Sequence, residues 1–474
     1  MTVDAASNGA RRLHGALPIF RLAGDGNAVF YAPGHPLLVP EERAAQVEEA
    51  VMSGTPAPSP DADAAARQLE EHGRAALRAW RALSERPFDP ECLTLVLSNR
   101  CDLACEYCYT AAGRYHAGRL PAERRSGRLA MPHGPAGCQA LSETVAGHAM
   151  RAVARRCAAA SKPFVLVYHG GGEPTIEWEL LVRLHAVARK TALQAGTRLW
   201  THVSTHGAID EGRARWLAEH IDDIGLSCDG PPDIQDAQRP WPGPAPRRGT
   251  SALVERTARI LANAGTHFTV RATVTPATID RQRDIVDYAC GTLEARRIRV
   301  EPVHRAGQAG GQQFLPSDAE RFVRQYARAA EAARQYGCEL HTSGARPGDI
   351  HGPYCNVLRN VVQLGPEGAL SGCFVDSVGA LGEGSHSRLG MVGMKEDGLV
   401  IVDQRAAELR RRAATVPERC AACINVYHCA RGCPDVCLSA DGGGSELPDG
   451  FRCRMQRQLS AWSIREIARS QVPS

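Results

Sequence analysis

The chain has 474 residues, a net charge of +4 and 43% hydrophobic residues. That length allows two to four domains with ample core, and no apolar run is long enough to span a bilayer. The basic side chains are almost all arginine and alternate with acids instead of clustering, which argues against a nucleic-acid partner. The N-terminal run MTVDAASNGARRLHG has no apolar segment of the secretory kind, so the expected location is cytoplasmic, without membrane contact. Seventeen cysteines in such a location point to metal or redox chemistry, because cytosolic disulfides are disfavoured.

Residues 1–88 read as a small α+β module. Two strands flank the turn signal Gly24-Asp25-Gly26, and Pro33-Gly34 makes a further break. A helix over 41–52, a linker SGTPAPSPDAD and a polar helix over 63–84 follow. From 89 to 340, strands and helices alternate. Strands are expected at 93–97, 164–168, 199–204, 224–227, 268–274 and 298–300. Helices are expected at 139–160, 176–195, 210–220, 249–264 and 279–292. This α/β rhythm implies a parallel sheet with crossover helices. It fits a partial (β/α)6 barrel; a doubly wound sheet is the alternative the pattern leaves open. Residues 341–474 are loop-rich and cysteine-rich, ending in a helix, with too little periodicity for a large core of their own. Metal staples are the usual remedy for such a segment.

Four polar motifs follow successive strands: SNRCDLACEYC the first, HGGGEPT the second, STHG the third and SCDGPP the fourth. In parallel α/β architectures the C-terminal ends of strands carry the active site, so the four converge on one rim. Each alone has a plain structural reading. DGPP is a good turn, GGGEP a good helix start, and Arg239 an ordinary surface charge.

The first motif carries Cys101, Cys105 and Cys108 at C-x3-C-x2-C. A closed structural zinc site needs a fourth local ligand, and none is obvious here. Three thiolates can hold a [4Fe–4S] cluster at three irons and leave the fourth open for a small molecule. With this spacing after the first strand of a β/α repeat, the chain resembles the radical S-adenosylmethionine (SAM) enzymes. The resemblance implies that SAM chelates the open iron and is cleaved reductively to a 5′-deoxyadenosyl radical. It also implies an external electron donor such as flavodoxin or ferredoxin. Tyr107 stands at the position that in the family lies against adenine. Gly171, Gly172, Glu173 and Pro174 match the GGEP segment that binds the SAM amino group; here an extra Gly170 precedes them. STHG is similar to the family's TNG turn, which makes Ser204 or Thr205 a SAM contact. LSCDGPPDIQDAQR resembles the segment of peptide-modifying members that would bring Ser227 to the SAM sugar and Arg239 to its carboxylate.

The tail carries Cys355, Cys373, Cys420, Cys423, Cys429, Cys433 and Cys453. Their spacing, C-x12-G-x4-C and then C-x2-C-x5-C-x3-C with a last cysteine after nineteen intervening residues, resembles the SPASM domain of radical SAM peptide maturases. That resemblance implies two auxiliary [4Fe–4S] clusters, three in all. Cys420, Cys423, Cys429 and Cys453 go to one; Cys355, Cys373 and Cys433 go to the other. An eighth ligand is missing: Cys338, His351, Cys437 or an open site are the alternatives. Without the upstream triad, the tail spacing alone would favour zinc.

The resemblance implies a ribosomally made precursor peptide as substrate and an oxidative intramolecular cross-link as outcome, through a cyclophane, another C–C bond or a thioether. Formylglycine formation on sulfatases is the alternative. In those maturases an Asp follows the second cysteine of the tail array, and here that position is Phe374, with Asp376 two residues on. A non-catalytic iron–sulfur or zinc scaffold is the rival from another class, but it would not need the SAM cradle. No catalytic base is legible. Residues 18–40 read either as a sheet edge for a leader peptide or as a cap on the barrel. The long basic loop 110–137 reads as a lid, a binding segment or a solvated loop.

Overall fold

The structure is a computed structural model. It describes residues 10–23, 26–108, 110, 140–244, 247–303, 313–350, 359–374, 387–393, 399–429 and 450–471. Its strands and helices make two sheets with helices packed on them.

The N-terminal module contains more strand than its turn signals predict. Strands β1 (Arg11–Arg12), β2 (Phe20–Leu22), β3 (Asn27–Ala32) and β4 (His35–Pro40) form an antiparallel sheet in that order. Helices α1 (Glu41–Ser53) and α2 (Pro60–Glu85) follow. Ser59 caps α2 by accepting from the Ala62 N–H, and Pro60 occupies the first helical position, where its missing donor costs nothing. Alternation along β3 sends Ala28, Phe30 and Ala32 into a small core under α1 and α2. Val29 and Tyr31 point the other way, into the main core. The sheet is thus buried on both faces.

Among the described residues the large sheet has eleven strands. β5 (Cys92–Leu95), β6 (Phe164–Tyr168), β7 (Leu199–Thr205), β8 (Asp223–Ser227), β9 (Phe268–Val274), β10 (Arg297–Pro302) and β11 (Glu339–His341) lie side by side in chain order, all parallel. A doubly wound sheet would reverse its order at a switch point. No reversal occurs among β5–β11, so this part of the sheet is singly wound. The crossover helices are α3 (Glu143–Ala159), α4 (Trp178–Ala195), α5 (Glu211–His220), α6 (Pro232–Gln238), α7 (Ser251–Asn263), α8 (Gln282–Gly291) and α9 (Asp318–Gln335). They bury one face of every strand: Val270, Ala272 and Val274 of β9, and Ile298 and Val300 of β10, are at most 2% exposed.

The segment after 340 does not stand apart. β12 (Val361–Leu364) pairs in parallel with β5, and β13 (Ala369–Ser371), β14 (Arg388–Met391) and β15 (Val400–Ile401) continue the sheet antiparallel beyond it. Leu364, Leu370, Leu389 and Leu459 belong to the same core as Leu93 and Leu166. Helix α10 (Asp403–Ala414) follows β15. α11 (Phe451–Ser470) packs on α9, with the Tyr326 and Trp462 rings edge to face at 5.7 Å. Strands of two to four residues between glycine turns carry no readable period, which is why they are invisible in the sequence. Among the described residues, no helix is long and apolar enough to cross a membrane.

Candidate active site

The cysteine loop leaves the C-terminal end of β5 and is held from both sides. On one side the GGGEP segment runs against it: Gly172 N–H donates to Ser98 O at 3.3 Å and Glu173 N–H to Arg100 O at 2.8 Å. A Cβ on Gly172 would stand 1.8 Å from the Arg100 carbonyl oxygen. The close approach that demands glycine here is to the cysteine loop's own backbone. On the other side Ala104 N–H donates to Pro240 O at 2.9 Å and Glu106 N–H to Gln238 O at 3.0 Å. Thr110 donates to the Gly171 carbonyl and lies 3.3 Å from the Cys108 sulfur.

The resemblance places Glu173 in the segment that binds the SAM amino group. Its carboxylate also accepts four hydrogen bonds from the protein. Oε1 accepts from the Thr175 N–H at 3.1 Å, the Thr175 hydroxyl at 2.7 Å and the Thr205 hydroxyl at 2.8 Å; Oε2 accepts from the His206 N–H at 2.8 Å. Glu173 is therefore a positioning residue that ties β6, β7 and the first motif together. Pro174 opens the short 3-10 turn behind it. Thr205 faces the same side as Glu173, whereas Ser204 points to the opposite face and contacts His202 at 3.1 Å. His206, not singled out in the sequence, bridges to Asp102 at 2.8 Å, beside Cys101. Burial alone would depress His206; the Glu173 carboxylate and then Asp102 outweigh it and raise its pKa.

The second hub is Asp229, fully buried at the end of β8. Its Oδ2 accepts from Arg239 Nε at 3.0 Å, from Gln238 Nε2 at 2.9 Å and from the Tyr107 hydroxyl; Oδ1 accepts from the Thr273 N–H at 2.9 Å. The Arg239 guanidinium lies over the Tyr107 ring, 5.3 Å from its centre. Arg239, assigned to a SAM carboxylate by resemblance, thus spends its Nε on Asp229, and Tyr107 spends its hydroxyl there. Asp229 could have been suspected from its place at a strand end, ten residues before an arginine. Ser227 lies on the face opposite the helices, in register with Arg271.

Cys101, Cys105 and Cys108 are each partly exposed. Burial pushes the Cys105 thiol up to about 12 against the pull of Arg239, with Cys108 adding, and holds Cys101 high as well. Among the described residues, no three His, Cys, Asp or Glu side chains converge closely enough for one metal ion. Three thiols on one clamped loop, all sulfur donors, fit an iron–sulfur cluster, whose irons are spread over several ångströms.

In the tail, Cys423 lies near enough to Cys453 and to Cys420 to feel both. Burial and then the neighbouring Cys453 and Cys420 raise Cys423 to about 11, with a backbone N–H and Arg457 opposing. Cys429 donates to Gln456 Oε1 at 3.0 Å, one turn beyond Cys453. These are the four ligands expected for one auxiliary cluster. For the other, Cys373 is held at the end of β13, its N–H on Ser371 Oγ at 3.0 Å. Cys355 and Cys433 lie outside the described residues, as do His351, Asp376, Cys437 and nearly all of the 110–137 loop. Cys338 sits beside Cys290 and donates to Ala295 O at 3.1 Å, at the N-terminal end of β11. That is the end of the sheet opposite the rim, which argues against Cys338 as the eighth ligand. Phe374 packs against His169, ring centres 4.3 Å apart.

No family model matches the chain. Among solved structures it is similar to anSMEcpe with bound AdoMet, at 18% identity and a TM-score of 0.60, over 81% of this chain and 96% of that one. It is similar to Streptococcus suis SuiB bound to S-adenosylmethionine, at 14% identity and a TM-score of 0.52, over 94% and 98%. The SuiB structure bound to precursor peptide SuiA matches over the same shares, at 13% and 0.50. The chain is therefore built on the α/β fold of these AdoMet-binding structures, the fold that its resemblance to the radical SAM peptide maturases implied.

Proposed function

We propose that this chain is a radical SAM maturase that modifies a ribosomally made precursor peptide, by an oxidative intramolecular cross-link such as a cyclophane, another C–C bond or a thioether. The observation that carries the reading is the cysteine triad clamped at the rim between the GGGEP segment and Gln238–Pro240, with both hubs satisfied behind it. On this reading the large sheet is a partial barrel, residues 341–474 supply two auxiliary [4Fe–4S] clusters, and flavodoxin or ferredoxin supplies electrons. Neighbours of the same fold were solved with AdoMet and with precursor peptide, which supports the cofactor and the substrate class.

Cys101, Cys105 and Cys108 would hold the SAM-binding cluster, and reduced cluster with SAM supplies a carbon radical able to abstract hydrogen. The protein's own part is placement. Glu173 and Asp229 fix the two segments that flank the cysteine loop, so the loop cannot swing as substrate enters. Gly171, Gly172, Ser227 and Arg239 remain the SAM contacts by resemblance; Arg239 would offer its terminal nitrogens, because its Nε already serves Asp229. Tyr107 would present its ring. Phe374 packs its ring on His169, the residue that follows β6. An aromatic ring after Cys373, where formylglycine-forming members carry an Asp, supports cross-linking.

The test is anaerobic. Protein reconstituted with iron and sulfide is given dithionite and SAM, and 5′-deoxyadenosine is measured beside the Cys101, Cys105, Cys108→Ala variant. Wild type should make it, and the variant should lose it together with about four irons. A fully iron-loaded wild type that makes none, with or without peptide, would favour the scaffold. Zinc alone would remove all three cluster assignments.

A further inference from the structure

The tail loop between Cys423 and Cys429 turns inward. Ile424, Val426 and Tyr427 join the main core, and His428 is held by the Tyr31 hydroxyl at 2.5 Å and the Asp349 carbonyl at 2.6 Å. Asn425, in the middle of this run, is 1% exposed. Among the described residues, neither its Nδ2 nor its Oδ1 has a hydrogen-bond partner. Burying a carboxamide with donor and acceptor both unpaired is costly. In a native fold such a group marks a place where a water, an ion or a redox centre is met.

The backbone of Asn425 selects among these. Its N–H donates to the Cys423 sulfur at 3.4 Å, and its carbonyl accepts from the Cys429 N–H at 2.9 Å. Asn425 is thus the pivot between two of the four cysteines read as ligands of one auxiliary cluster. Its side chain is short and stays beside that loop, and the side chains flanking it, Ile424 and Val426, are apolar. A second carboxamide stands close by: Gln456 Oε1 lies 3.0 Å from the Cys429 sulfur. A metal-bound cysteine is a thiolate, which accepts hydrogen bonds and cannot donate them. Amide N–H groups facing cluster sulfurs stabilise the more negative, reduced form and so raise its potential.

We propose that the Asn425 carboxamide donates an N–H bond to a sulfur of the iron–sulfur cluster held by Cys420, Cys423, Cys429 and Cys453, and so raises the reduction potential of that cluster. The inference rests on the assignment of those four cysteines to one cluster. The electron added on reduction increases the charge on the sulfurs, and a buried donor answers that charge more strongly than the same donor in water. A cluster with raised potential is the better electron acceptor.

A redox titration tests this without any peptide. The Cys101, Cys105, Cys108→Ala background removes the triad at the rim and leaves the tail clusters. The full chain is reconstituted anaerobically with iron and sulfide, its iron is counted, and the reduced signal is followed by electron paramagnetic resonance against potential, with dithionite as reductant. Adding Asn425→Leu should lower one tail couple by about 60 mV, a tenfold change in a one-electron equilibrium, and leave the other in place. Asn425→Ser keeps a short donor and should recover part of that shift; a potential equal to that of Asn425→Leu would assign the effect to packing and overturn the proposed bond. With iron unchanged, a shift below about 18 mV, twofold in the same constant, overturns the inference. Equal shifts of both couples overturn it too, because the effect is then general. If Asn425→Leu loses about four irons, the smaller Asn425→Val carries the same test. Loss of the cluster from both shows that the amide builds the site instead of setting its potential, which also overturns the inference. A background protein that binds no iron removes the cluster assignment and the inference together, whereas a loaded one with unmoved potentials removes only the role of Asn425.

Discussion

Asp229→Asn changes one atom and should cost the protein several kcal/mol. The carboxylate is fully buried and faces only donors: Tyr107, Gln238, Arg239 and the Thr273 N–H. Asparagine would present an amide NH2 to at least one of them and leave the Arg239 guanidinium, 12% exposed, without its counter-charge. Two unit charges 3.0 Å apart interact with about 5.5 kcal/mol at an effective dielectric constant of ~20. Breaking a buried pair from one side costs about 3–5 kcal/mol, because the remaining charge stays desolvated. At ~2.1 cal/mol/K per residue, unfolding 474 residues carries about 1 kcal/mol/K, so the midpoint should fall by about 3–5 °C. Scanning calorimetry of anaerobically reconstituted protein reads this directly. The double variant Asp229→Asn, Arg239→Gln should lose less than the sum of the two single ones, since both charges are then gone. A midpoint within about 1 °C of wild type, or strict additivity, would refute the claim that this hub is a buried, mutually dependent pair.

Three further outcomes follow from the same geometry. Gly172→Ala places a Cβ against the Arg100 backbone, which cannot rotate away, so the cysteine loop must shift; iron loading should fall toward that of the triple cysteine variant, and normal loading would contradict the close approach. Tyr31→Phe removes the bonds to Pro347 O and His428 that tie the N-terminal sheet to the segment after 340; denaturant unfolding should register a loss of about 1–3 kcal/mol, and an unchanged midpoint would mean the contact is idle. His185 is held down to about 4 by burial, with His220 and Arg189 adding and Asp222 opposing. Because the unfolded state then takes the proton first, near pH ~6.5, stability is full above that value and falls as pH drops toward about 4. His185→Asn should flatten this acid-side slope in a series of melts, and an identical slope would show that the group does not titrate as described.

The residues of the candidate site were legible in the sequence because the chemistry needs particular types at short spacing. Cys101, Cys105 and Cys108 lie on one loop, and GGGEP, STHG and SCDGPP each follow an apolar strand. Their roles were less legible. Glu173 and Arg239 have functional groups that suit a ligand, yet both are engaged inside the protein, and only tertiary contacts reveal which donors reach them. Asp229 and His206 read as turn residues until β9 and Asp102 are brought beside them.

The sequence by itself determined most of the order of strands and helices from 89 to 300, since period-two and period-3.6 patterns are local; α6, α9 and β11 were not read from it. It also set the spacing of the cysteines, which fixes the donors available for metal. The tertiary structure alone decided that the sheet winds in one direction, that β12–β15 extend its β5 edge, and that the N-terminal sheet is buried on both faces. It alone placed Arg271 beside Arg299 and set Cys338 at the wrong end of the sheet. These are pairings between residues far apart in the chain. Their energy comes from burial and charge at contact distance, and no local pattern records which distant segment will supply the partner.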